Sequence, residues 1–149
     1  MRRPAPYGAS RGTPHGRART GEVAMSNRIV HFEIPFADGD RARAFYRDAF
    51  GWQVQEMPEL SYTMVQTGPV GEDMAPSEPG FINGGMFERS EPFTGPVITV
   101  DVDDIDAAVA RLRDLGATDV SEKQAVADMG FAAYFRDPEG NMVGLWQSA

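Results

Sequence analysis

The sequence predicts an α+β domain made of two βαβββ modules, about residues 28–90 and 95–147, and three observations carry that prediction. Apolar residues alternate with period two at 28–36 and again at 95–102. Each of these runs leads into a segment with apolar residues at helical spacing, about 40–49 and 103–117, stopped by Gly51 and Gly116. Each helical segment is followed by three short strand-like runs bounded by turn residues, so one order of elements occurs twice.

The elements follow in order. In RIVHFEIPF, Val30, Phe32 and Ile34 fall on one face and Ile29, His31 and Glu33 on the other, the signature of a strand that Pro35 closes. Asp38 or Asp40 can cap RARAFYRDAF, where Ala42, Phe45, Tyr46 and Ala49 share one side of a helix. WQVQEM, SYTMVQTG and GFINGGMFER read as strands, the last two separated by the acidic, Pro-containing loop PVGEDMAPSEP. In the second module, GPVITVDV is a strand with Ile98, Val100 and Val102 on one face. DDIDAAVARLRDLGA is a helix with Ile105, Val109, Leu112 and Leu115 in register, its dipole favouring Asp103, Asp104 and Asp106 at the start. A short strand near 118–126, then FAAYFR and NMVGLW, complete the module. The turn DPEG joins the last two, since Asp137 can bond backbone amides, Pro138 suits the second turn position and Gly140 a positive φ.

Composition narrows the function classes. The chain has 149 residues, the size of one domain, and no cysteine, which excludes disulfide, zinc-thiolate and thiol chemistry. The net charge of −8 is divided unevenly: residues 1–24 hold five arginines and one acid, leaving nine basic and 21 acidic side chains on residues 25–149. That acidic field repels phosphate backbones and argues against nucleic acid as a partner. No apolar run approaches the roughly 18–20 residues of a membrane span, and a cytoplasmic location is expected. Residues 1–24, rich in Arg, Pro and Gly, read as a disordered tail, and Met25 is an alternative start.

VHFEIPFADGDRARAFYRDAFGW, VDVDDIDAAVARLRDLGA and MGFAAYFRDPEGNMVGLWQ together resemble the vicinal oxygen chelate superfamily, which includes glyoxalase I, bleomycin- and fosfomycin-resistance proteins and extradiol dioxygenases. The likeness is nearest to a glyoxalase-like branch. It implies a curved eight-stranded mixed sheet with helices on the convex side, a concave cup that usually holds a divalent metal, and often a homodimer. It also implies that metal ligands come from the first and last strand of each module. Laid on this chain, those positions are His31, a site near Gly85, Val97 and Gly144. His31 alone carries a ligand side chain.

The expectation is therefore a small-molecule cup with a degenerate metal site. No resident metal is expected, although a weakly bound divalent ion on His31 and Glu33, two apart on one strand face, is an alternative. His31 and Glu33 are the candidate catalytic residues, as a base with an ordinary pKa near 6.5 and a carboxylate suited to proton transfer. Ordinary structural roles are equally open: His31 bonded to a neighbour, Glu33 paired with Arg136. Tyr62, Met64, Asn83, Thr99, Asp101, Tyr134, Arg136, Met142, Gly144 and Trp146 are expected to line the cup, an aromatic and thioether surface with a few polar groups. Three function classes follow: a metal-dependent lyase- or dioxygenase-type enzyme, a metal-free enzyme on the same cup, and a binding protein of the drug-resistance kind. The partner expected in each is a small-molecule ligand or substrate.

Overall fold

The computed structural model describes residues 27–149; the tail expected at residues 1–24 lies outside the described residues. The first module runs β1 (Ile29–Phe36), α1 (Gly39–Phe50), β2 (Gln53–Met57), β3 (Tyr62–Gln66) and β4 (Asn83–Glu88). The second runs β5 (Val97–Asp101), α2 (Ile105–Asp114), β6 (Gln124–Val126), β7 (Gly130–Arg136) and β8 (Met142–Ser148). All eight strands form one mixed sheet in the order β2-β3-β4-β1-β5-β8-β7-β6. β1 is parallel to β4 and β5 to β8, while β1 and β5 meet antiparallel at the centre and so join the two modules edge to edge.

Local chemistry explains where the elements begin and end. Asp38, not Asp40, is the N-cap of α1, its Oδ1 accepting the Arg41 amide at 3.0 Å, and Asp104 caps α2 through the Ala107 amide at 3.2 Å. Gly51 ends α1 at φ 69°, a left-handed backbone that a side chain would strain. The strand expected over 118–126 is confined to 124–126. Asp119 has φ 48°, which breaks the extended run, and Thr118 keeps only an isolated bridge to Arg136.

The helices cover the sheet unequally. Ile105 of α2 is buried against Ala133, Phe135 and Leu145, with Val109, Leu112, Phe131 and Val143 packed around them, as the alternation of β7 and β8 requires. Ile105→Val removes one methylene from this cluster and is expected to cost about 1 kcal/mol in urea unfolding. No residue of α1 is buried. That helix is held by Tyr46 stacked on Trp52, with ring centroids 5.2 Å apart, and by Arg43 Nη1 donating to Thr63 Oγ1 at 3.1 Å. Phe45 and Phe50 stay 59% and 64% exposed.

Candidate functional site

Strand register decides which side chains meet on the concave face. Asn83, His31, Thr99 and Gly144 are successive cross-strand partners on β4, β1, β5 and β8, and so form one row across the centre of the sheet. Tyr134 of β7 extends that row beside Gly144. The next row holds Met64, Gly85, Glu33 and Val97.

Side chains from neighbouring strands crowd the space above these rows' glycines. A Cβ on Gly85 would be driven into the ring and hydroxyl of Tyr62. A Cβ on Gly144 would lie 2.7 Å from Thr99 Oγ1 and 3.3 Å from Tyr134 Cε1. Further out, Trp146 lies across Gly130 in the same manner, its Cζ2 2.7 Å from where a Cβ would stand. Glycine in these strand interiors thus marks the close approach of a ring.

The two tyrosines bring the candidate catalytic residues into one cluster. The Tyr134 hydroxyl donates to Glu33 Oε1 at 2.5 Å, and the Tyr62 hydroxyl lies 2.7 Å from His31 Nε2, with the two rings stacked at 15°. Glu33 is 5% exposed. A carboxylate that deep in the sheet needs donors, and phenols supply them. Arg136 does not: its Nε donates to Asp119 at 2.7 Å and its Nη1 to the Gly140 carbonyl at 2.8 Å, so the Glu33–Arg136 pair considered from sequence is replaced by Glu33–Tyr134.

Burial sets the protonation states. It pushes both phenols far above their ordinary value, and the charge of Glu33 and hydrogen bonding to it push them further, so Tyr62 and Tyr134 remain protonated donors. Burial lowers the pKa of His31, opposed by the nearby charge of Glu33, so the imidazole is neutral at pH 7. With the folded pKa below the unfolded value of about 6.5, the unfolded chain takes up a proton first as pH falls. Stability is therefore expected to decline from pH 7 through 6.5 toward the lower folded pKa. The decline should be smaller in His31→Leu, measured as urea midpoints at pH 7 and 5.5.

The remaining expected cup residues are dispersed. Met64 faces Gly85, Asp101 and Trp146 pair at one end of the sheet, and Arg136 and Met142 pair at the other. A cavity of about 160 Å³ opens beside this last pair, lined also by Pro92, Thr94 and Asn141. Sequence reasoning missed Phe93, carried by the loop between the modules, which meets Tyr134 edge-on at 4.8 Å and Phe87 at 5.5 Å. Strand alternation from Gly85 also puts Phe87 on the concave face, but nothing in EPFTGP marks a ring that folds back over the cup.

Comparison with known proteins places this arrangement in a family. The model for the N-terminal part of bleomycin resistance protein-like sequences matches residues 28–68. A glyoxylase-like domain-containing protein of Didymella fabae is 28% identical over 80% of this chain and 92% of its own length. Human mitochondrial methylmalonyl-CoA epimerase is 30% identical over 87% of this chain and 78% of its own. The chain belongs to the vicinal oxygen chelate superfamily. A superfamily structure, the Streptomyces coelicolor methylmalonyl-CoA epimerase in complex with 2-nitronate-propionyl-CoA, superposes with a TM-score of 0.58 at 21% identity. The match spans 83% of this chain and 99% of that one.

The residues at the superfamily's metal positions do not fit a metal. Of His31, Gly85, Val97 and Gly144, three offer no donor side chain; Val97 is 1% exposed, the Tyr62 ring fills the volume over Gly85, and the Thr99 hydroxyl and the edge of Tyr134 crowd that over Gly144. Among the described residues no three of His, Asp and Glu come together in a group that could hold an ion. One imidazole, already hydrogen-bonded, falls short of the three or four protein ligands of a dedicated site.

Proposed function

We propose that this chain is a metal-independent, small-molecule-binding member of the superfamily, with the cluster His31, Tyr62, Glu33 and Tyr134 standing where a metal centre would be. The observation that carries this reading is the crowding over glycine at both positions where a ligand side chain would project, by the Tyr62 ring at Gly85 and by the Thr99 hydroxyl and the edge of Tyr134 at Gly144. The small-molecule part is supported by the family: a methylmalonyl-CoA epimerase of the same fold is seen with methylmalonyl-CoA.

The cluster's chemistry favours holding a ligand over turning it over. Both phenols are held protonated by burial and by the neighbouring charge, so neither is available as a base. The neutral imidazole of His31 keeps its second nitrogen for a ligand. A thermal-shift screen with aldehydes, thiol conjugates and aromatic compounds tests the proposal. Compounds that raise the melting temperature equally with and without a chelator, and are recovered unchanged, support it. Stabilisation abolished by the chelator, or conversion of the compound, contradicts it.

A further inference from the structure

The row Asn83, His31, Thr99 carries hydrogen-bonding capacity that the fold does not use. Asn83 Oδ1 accepts the Thr67 amide at 2.8 Å, which fixes the orientation of the side-chain amide and turns Nδ2 away from that bond. Among the described residues Nδ2 is the buried side-chain nitrogen or oxygen left without a partner. Thr99 is 6% exposed, and its hydroxyl bonds to no described residue. His31 commits Nε2 to Tyr62, and among the described residues none is bonded to Nδ1. One buried donor without a partner, Asn83 Nδ2, thus lies at the same level of the sheet as the polar side chains His31 and Thr99 on the next two strands. A native fold rarely leaves a buried donor orphaned, and one that does so at a cup floor points to a missing acceptor.

We infer that this row is a subsite for one uncharged oxygen acceptor, of the amide or carbonyl type, on a small ligand. The inference deepens the proposed function and rests on its reading of the cup as a small-molecule site. Donors dominate the row: the Asn83 N–H and the Thr99 O–H flank His31, which suits an oxygen lone pair. Charge excludes an anion. Glu33 lies in the adjoining row of the same face, and the Arg136 guanidinium is engaged by Asp119 and the Gly140 carbonyl. Phe87, Phe93 and Tyr134 supply an aromatic wall for the rest of such a ligand.

The test uses three probes of like size on the full chain: benzamide, benzoate and toluene. Binding is measured by calorimetry, and the Asn83 side-chain amide is followed by nitrogen-15 NMR, assigned through its loss in Asn83→Ala. Benzamide is expected to shift that signal and to bind about tenfold more tightly than either other probe. Asn83→Ala and Thr99→Val should each remove most of that preference and leave toluene unaffected; if the first fails to fold, the second carries the comparison. Equal binding of benzamide and toluene, or an unmoved Asn83 signal, shows that the row holds only buried water and overturns the inference while leaving the cup reading intact. Failure of all three probes overturns the inference as well, and the cup reading then stands or falls on the wider ligand screen.

Discussion

Gly85→Ala is expected to destabilise the protein by about 3 kcal/mol, although alanine is the smallest side chain that could be added. Overpacking a close-fitting site costs about 1–3 kcal/mol, and this site lies at the upper end because both neighbours are constrained. A Cβ at position 85 is driven into the Tyr62 ring, which is stacked on His31 and bonded to it through the hydroxyl, so the ring moves only by giving up those contacts. The backbone cannot yield either, since Gly85 lies between Glu33 and Met64 in the sheet. In a Tyr62→Ala background the obstruction is gone, and Gly85→Ala should become nearly neutral. A double-mutant cycle by urea unfolding measures the coupling. Equal costs of Gly85→Ala in both backgrounds would show that Tyr62 does not fill the space above the glycine.

The second large effect is expected for Tyr134→Phe. It preserves the ring, its contact with Phe93 and the cover beside Gly144, and removes only the hydroxyl that donates to Glu33. A hydrogen bond to a charged group contributes about 1.5–3 kcal/mol, and the carboxylate left behind is buried, so a loss of about 2 kcal/mol follows. Removing the acceptor first changes the sign of the argument. In Glu33→Leu the Tyr134 hydroxyl is itself an orphan, and Tyr134→Phe should then be neutral or slightly stabilising. Additive losses in the double variant would mean that the hydroxyl has another partner.

Much of the architecture was legible because its signals are local. Val30, Phe32 and Ile34 against His31 and Glu33 set the face of β1, and the alternation within FAAYFR is that of a strand whose Phe131, Ala133 and Phe135 pack under α2. What the residues alone could not give is how far a side chain reaches. Gly144 reads in the sequence only as a cup-lining position without a ligand side chain, which leaves open what stands above it. The space is taken by Tyr134, from the neighbouring strand, and by the Thr99 hydroxyl. Phe93 escaped notice for the same reason, since a loop aromatic has no periodicity to reveal where it packs. The partner of Glu33 was missed because charge complementarity suggests Arg136, whereas β7 directs that arginine to Asp119 and places a phenol over the carboxylate.

The proposed metal independence of the cup is tested most directly by metal content. Protein purified without chelator, loaded with zinc, nickel, manganese or cobalt and then dialysed, is expected to retain well under one equivalent of any of them, with no difference between wild type and His31→Ala. About one equivalent per chain that survives dialysis and is lost in His31→Ala would contradict the account.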